Sequence, residues 1–231
     1  MKISLFIPIW KRFKYMPQVI EGWLPQVNDI TIWDDSGNED ILTSYRNHSK
    51  ITWIMASKRM GSHIKFKSAQ LLKNDWVIIA DDDIIPGEIF VQLLIKWQNY
   101  CYMQNEGEKE DFVVSIFGRK FSKGGYQSRP LQRADNISEI QEVDWAGRLL
   151  FGHRKNFMVD ITACPDTRLD DLFWSFELHR QRPQARIFIV PIKEWQNTPD
   201  SNNEFSLSRT PGYWKLRDDF VKNHYEANNG R

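Results

Sequence analysis

The chain has 231 residues, 41% of them hydrophobic and 26% charged, with a formal net charge of +1. That is enough to bury one sizeable core, and it excludes a disordered segment or a stapled mini-protein. The near-neutral balance excludes a global pull toward nucleic acid or membrane, so any such preference has to come from a local patch. The two cysteines, Cys101 and Cys164, match no zinc spacing and are expected as buried free thiols in a reducing compartment. The apolar stretch near the N-terminus is too short for a signal-peptide core, and no later run is long enough to cross a bilayer. The expectation is a soluble, cytoplasmic protein without membrane insertion.

In chain order, Ile3 to Ile9 is an apolar run of β formers ended by Trp10 and a basic turn, a buried strand. Tyr15 to Leu24 carries Val19, Ile20, Trp23 and Leu24 at helical spacing. Ile30 to Trp33 is a second strand, ending in Asp34-Asp35-Ser36-Gly37-Asn38, a loop and helix-start signal. Ile51 to Met55 is a third strand and Ile64 to Leu72 a helix. Trp76 to Ala80 is a fourth strand, running into Asp81-Asp82-Asp83. Glu88 to Tyr102 reads as an amphipathic helix with Phe90, Leu93, Leu94 and Trp97 as its stripe. Phe112 to Phe117 is a fifth strand. The second half is less regular. Gly118 to Ala134 reads as a loop, Trp145 to Phe151 as a strand, Leu169 to Arg180 as a helix and Ile187 to Val190 as a strand. Asn197 to Asn203 is a polar loop, and Tyr213 to Tyr225 a terminal helix.

Strands alternating with helices predict an α/β fold with a helix-covered parallel sheet. Ligands bind such sheets at the carboxyl ends of the strands. Two strands end in acidic clusters, at Asp34-Asp35 and at Asp81 to Asp83, so both clusters belong on one rim. No repeat or linker divides the chain. One domain over residues 1–231 is expected, with a nucleotide-binding half (1–118) and an acceptor-binding half (119–231).

The segment Trp76-Val-Ile-Ile-Ala-Asp81-Asp82-Asp83-Ile-Ile-Pro86-Gly87 carries the most information. Three adjacent carboxylates repel one another, more so at a partly buried strand end. A cation would relieve that cost, and oxygen-only ligands favour Mg²⁺ or Mn²⁺, which bring substrate phosphates with them. The simpler alternative is a solvated turn whose first Asp caps a helix beginning near Pro86. One capping residue would suffice for that, and three are present.

Taken together, these segments resemble a GT-A glycosyltransferase, a Rossmann-like nucleotide-sugar-binding sheet flanked by helices. Within that group the chain is most similar to the exostosin-like family, over roughly Lys2 to Val221. Ile7-Pro8-Ile9-Trp10-Lys11-Arg12 is similar to the family's first-strand segment, which implies that Pro8, Ile9 and Arg12 approach a uracil and diphosphate. Ile32-Trp33-Asp34-Asp35 resembles the second strand, whose terminal acid meets the base. His63-Ile64-Lys65-Phe66 stands where the family has Asn-Arg-Phe, so Lys65 would meet phosphate as a point charge. The resemblance places Asp81 and Asp82 on the nucleotide sugar and implies Asp83, with Asp81, as ligands of Mn²⁺ or Mg²⁺. Leu169-Asp170-Asp171-Leu172 resembles an acidic pair near the reacting sugar, so Asp170 and Asp171 are the expected catalytic carboxylates. The family has Cys-Glu-Asp there, which leaves their division of labour open. Ser208-Arg209-Thr210-Pro211-Gly212-Tyr213-Trp214, then Arg217, resembles a C-terminal segment that folds over the diphosphate, with Arg209 as the closing cation. The activity implied is metal-dependent transfer of a sugar from a UDP-sugar to an acceptor hydroxyl, with retention.

The stretch from Gly118 to Ala134 holds five basic residues and no acid, with Phe121 and Tyr126 interleaved. A mobile loop of this kind suits a polyanionic acceptor, a charged glycan or a hydroxymethylated DNA base, contacted by Arg119, Lys120, Tyr126 and Arg129. The DNA alternative fits a virus-encoded enzyme working inside a host cell. Two rival readings stand beside the transferase. A Mg²⁺-dependent nucleotidyltransferase is disfavoured because no Gly-rich loop follows the first strand. A non-catalytic binding protein on the same fold is the other.

Overall fold

The computed structural model describes residues 1–36, 43–57, 59–201 and 206–228. Of the sequence-based expectations, Gly37 and Asn38 of the loop after the second strand, and Asn202 and Asn203 of the polar loop, lie outside the described residues.

The first half alternates as the apolar runs predict: β1 (Ile3–Ile9), α1 (Met16–Trp23), β2 (Asp29–Asp34), α2 (Thr43–Arg46), β3 (Ile51–Met55), α3 (Ile64–Lys67) and β4 (Trp76–Ala80). A short β5 (Ile84–Pro86) then precedes α4 (Phe90–Gln104). Pro86 therefore closes a strand rather than opening a helix. The second half contains β6 (Phe112–Ser115), β7 (Phe117–Arg119), β8 (Gln132–Arg133), β9 (Gln141–Val143), β10 (Trp145–Ala146), β11 (Leu149–His153), α5 (Asp170–Gln181), β12 (Arg186–Ile189), β13 (Trp195–Asn197) and α6 (Tyr213–Asn228).

One eight-stranded sheet runs β3-β2-β1-β4-β11-β6-β12-β9. Strands β1 to β4 are mutually parallel, and β12 is parallel to β6. Strand β11 is antiparallel to both β4 and β6, and β9 is antiparallel to β12. The sheet is thus mixed, where alternation alone predicts a parallel one. A small sheet β10-β7-β8 and the pair β13-β5 sit beside it.

Both faces of the sheet are covered, which is why its parallel strands read as continuous apolar runs. On β1, Ile3, Leu5, Ile7 and Ile9 pack with Met16, Val19, Ile20 and Trp23 of α1 and with Phe90 and Leu94 of α4. Phe6 faces the other way, into a second cluster with Val77, Ile79, Ile64, Phe66 and, from α5, Trp174 and Leu178. Trp174 stacks between Phe66 and Phe157 at centroid distances of 5.0 and 5.6 Å, and its indole N–H donates to the Asn156 carbonyl at 3.0 Å. This anchors α5, whose N-terminal turn carries Asp170 and Asp171. A third cluster, Tyr126, Trp145, Leu169, Leu172, Phe176, Phe220 and Val221, lies between α5, α6 and the small sheet.

Cys101 is buried as expected, but Cys164 is only half-buried. Both are free. The Gly118–Ala134 stretch is pinned rather than open. Phe121 stacks on Phe176 at 5.3 Å, Tyr126 is 3% exposed, and the Phe121 amide donates to Asp144 at 2.6 Å. Phe121 packs into the protein, while Tyr126 is packed and also lines the cavity described below.

Candidate active site

The carboxyl ends of β1, β2 and β4 open onto one cavity of about 600 Å³, a volume suited to a small-molecule ligand. Pro8, Ile9 and Arg12 line it, as do Asp35, Lys65 and Asp81 to Asp83. Asp170 and Asp171 come in from the start of α5, and Arg119 and Tyr126 from the second half. Residues far apart in sequence are therefore gathered at one rim, where the strand ends predict a ligand. Four expected residues lie outside the lining. Asp34 is fully buried, its carboxylate accepting from the Ser36 amide at 2.9 Å. Lys120, Arg129 and Arg209 are exposed. Asp35 faces the cavity and accepts from the Met60 and Gly61 amides at 2.7 and 2.8 Å.

The Asp81–Asp83 triad is held by cations of the chain. Arg12 Nη1 lies 3.0 Å from both Asp82 Oδ1 and Asp83 Oδ2. Arg148 Nη2 is 2.7 Å from Asp83 Oδ1, and Lys65 Nζ is 2.5 Å from Asp81 Oδ1. Burial opposes the charge on Lys65, yet Asp81 and Asp170 together hold its pKa above the ordinary value. Burial pushes the Asp82 carboxyl up to about 7; Arg12 works against this, and Asp83 and Asp81 add to it by repulsion.

The acids expected to hold Mn²⁺ or Mg²⁺, Asp83 and Asp81, are thus paired with cations of the chain. Asp83 has both oxygens committed to guanidinium groups. Among the described residues, no group of three or more His, Cys, Asp and Glu converges as a metal ligand set.

Asp170 and Asp171 occupy the first turn of α5, where the helix dipole favours negative charge. Leu169 holds the cap position. The two acids have different surroundings. Asp171 pairs with Arg217 Nη2 at 2.8 Å. Arg217 is fully buried, donates to the Arg168 carbonyl and the Tyr213 hydroxyl, and lies 4.5 Å from the Tyr126 ring centroid. Asp170 Oδ2 is buried with no hydrogen-bond partner among the described residues, and Lys65 Nζ stands 3.8 Å away. Burial first, then repulsion from Asp171, raises the Asp170 carboxyl to about 6, against the pull of Lys65.

Several cavity residues had not been singled out from the sequence. Arg148 is one, and Trp145 and Asn197 also line the space, beside Ser208, Tyr213 and Trp214 of the expected C-terminal segment. Trp10 carries the Arg59 guanidinium 3.8 Å over its ring at the end of β1. Arg148 did leave a signal: Gly147-Arg148 interrupts the apolar stretch from Trp145 to Phe151.

No family model matches the chain, and no curated protein matches its sequence. Solved structures do match in fold. S. aureus TarS 1-349 superposes with a TM-score of 0.59 at 15% identity, covering 97% of this chain and 68% of that one. The same TarS fragment in complex with UDP-GlcNAc gives 0.56 at 14% identity, covering 84% of this chain and 57% of that one. The chain thus spans little more than half of the TarS fragment in that complex. The architecture, a mixed sheet flanked by helices, is the fold shared with TarS 1-349. Among the described residues no helix is long and apolar enough to cross a membrane.

Proposed function

We propose that the chain is a glycosyltransferase that moves a sugar from a UDP-sugar to an acceptor hydroxyl. One observation carries this reading: the acidic triad after β4, its counter-cations and the carboxylate pair of α5 face one nucleotide-sized cavity at the strand ends. Support comes from the fold shared with TarS, whose structure was obtained in complex with UDP-GlcNAc. Pro8, Ile9, Trp10 and Asp35 form the end of the cavity assigned to the base. Arg12 and Lys65 sit where a diphosphate would need neutralising.

In the transfer, the bond from the anomeric carbon to the β-phosphate oxygen breaks, and UDP departs with the electron pair. The acceptor oxygen forms the new bond to that carbon. The acceptor proton passes to Asp170 or to the departing diphosphate. A carboxyl titrating near 6 suits a base at neutral pH. Asp171, tied to Arg217, holds negative charge beside the developing oxocarbenium-like centre. The resemblance to exostosin-like enzymes supports retention. The acceptor we favour is polyanionic, a charged glycan or a hydroxymethylated DNA base, reached across Arg119 and the exposed Lys120 and Arg129.

Calorimetric titration with UDP, CDP and ADP tests the donor assignment. UDP binding at least about tenfold tighter than CDP or ADP is expected, equivalent to about 1.4 kcal/mol. Equal or absent binding of all three would remove UDP-sugars as donors.

A further inference from the structure

We propose that Arg12 and Arg148 are the resident cations of the acidic triad, so that guanidinium groups in place of a divalent ion meet the donor's diphosphate. The inference rests on the reading of the cavity as a UDP-sugar site.

Asp83 is 4% exposed, and each of its oxygens is taken by a different arginine, at 3.0 and 2.7 Å. A hard divalent ion needs a free carboxylate oxygen at about 2.0–2.6 Å. Asp83 could offer one only beside a guanidinium already bonded to that oxygen, and the charge of two arginines at 3.0 and 2.7 Å disfavours a divalent ion there.

Arg148 is fixed by more than Asp83. Its Nη2 also donates to Asn197 Oδ1 at 2.7 Å, and its guanidinium lies 4.7 Å from the Phe117 ring centroid. Its carbonyl accepts from the Asp81 amide at 2.7 Å, locking the two backbones together at the β4–β11 edge. Its φ is +62°, in the left-handed region that non-glycine residues seldom adopt. Lys11, directly before Arg12, has the same φ of +62°. Among the described residues these are the two non-glycine positions with positive φ. Both strained turns present an arginine to Asp83. Strain of this kind persists where the surroundings over-determine it, and here the result is a pair of cations facing a cavity.

Arg148 Nη1 makes no hydrogen bond among the described residues, and the residue lines the cavity. The planar fork of a guanidinium matches phosphate oxygens, and such charge-assisted bonds are stronger than neutral ones. Arg148 therefore has donors left for an anion after satisfying Asp83.

Two measurements test the inference. The first follows the Mn²⁺ paramagnetic resonance signal as protein is added, with no nucleotide present. The wild type is expected to leave the Mn²⁺ free, whereas Arg148→Met exposes Asp83 Oδ1 and gains Mn²⁺ binding that Asp83→Asn does not share. The second measures UDP affinity by calorimetry in EDTA and in Mn²⁺. The wild type is expected to bind UDP in EDTA, and Arg148→Met to lose about 10–100-fold in affinity there, as expected for removing a charged hydrogen bond. Circular dichroism checks that the variant is folded, and Arg12→Met is the substitute if it is not. Mn²⁺ binding by the wild type that Asp83→Asn abolishes, with UDP bound only in Mn²⁺, would overturn the inference and leave the UDP-sugar reading intact. Absence of UDP binding in every condition would overturn the UDP-sugar reading and the arginine clamp together.

Discussion

Arg217 Nη2 sits 2.8 Å from Asp171 Oδ1, with the arginine fully buried and its guanidinium 5.2 Å from the Trp145 and Tyr213 ring centroids. The pair joins α6 to the first turn of α5 and fixes one of the two cavity carboxylates. Burial opposes the charge on Arg217, yet Asp171 and the surrounding Tyr126 and Tyr213 hold its pKa well above the ordinary value.

Removing one partner of a buried pair leaves the other charge uncompensated, at about 3–5 kcal/mol. Arg217→Met keeps most of the stem but strands Asp171. Chemical denaturation should show a loss in that range. A change under 1 kcal/mol would mean that Asp171 finds other partners or solvent.

Gly147 gives a route to Asp171 that leaves every charge in place. A Cβ at this position would lie 2.6 Å from Asp171 Oδ2 and 2.8 Å from the Trp145 ring. Gly147→Ala must push the carboxylate aside. Misplacing a reacting group by about 1 Å costs on the order of 100-fold in rate. Steady-state kinetics should show kcat falling by about 10–100-fold with a small change in KM for the donor. An unchanged kcat would remove Asp171 from the transfer step.

The pH dependence of stability should report on Asp170. Its carboxyl is raised in the folded state to about 6, chiefly by burial. The folded protein thus holds this proton more tightly than the unfolded chain does. The stabilisation is fully present below the ordinary carboxyl range and is lost as pH rises through about 6. Asp170→Asn removes this share and leaves that of Asp82, raised to about 7, so above pH 6 the variant should be the more stable protein by roughly 1–3 kcal/mol. Denaturation midpoints between pH 4 and pH 8 for both proteins would check this. Parallel curves would place the raised group elsewhere.

The exposed cations after β7 separate acceptor from donor. Lys120 and Arg129 lie outside the cavity lining. Changing both to Ser should leave UDP affinity within about twofold. If the acceptor is polyanionic, the same change should weaken it and flatten the salt dependence of transfer. Equal transfer at all salt concentrations would point to an uncharged acceptor.

The first half of the fold was legible because β1 and β4 are buried on both faces, and the edge strand β3, half-buried beyond Ile51, is still rich in apolar residues. Each is a continuous apolar run whose ends show in the sequence, and Ile3–Ile9, Ile51–Met55 and Trp76–Ala80 fall where the sequence puts them. The second half was less so. Strand β5 is a three-residue piece that exists because β13 pairs with it, and no local signal encodes so distant a partner. The run from Phe112 to Phe117 breaks at Ile116, where the chain leaves the large sheet for the small one.

The acids were legible for the same reason as the strands: they follow directly on them. Their cations were harder to find. Arg12 and Lys65 came through resemblance, but Arg148 reaches Asp83 only because β11 runs antiparallel to β4, with Leu149 opposite Ala80. Arg209 was the expected closing cation from the C-terminal segment. The residue from that segment placed against a cavity acid is Arg217, one helical stretch further on. Spacing along the chain cannot tell an exposed arginine from one that a helix buries.

The central claim is sugar transfer from a UDP-sugar, and the most direct measurement is UDP release from a panel of UDP-sugars, with UDP-GlcNAc included, by the wild type and by Asp170→Asn and Asp171→Asn. Slow hydrolysis of at least one donor by the wild type is predicted, reduced at least about tenfold by one or both substitutions, the scale of a lost acid–base or electrostatic contribution. No release from any donor, or release that neither substitution lowers, would contradict the account.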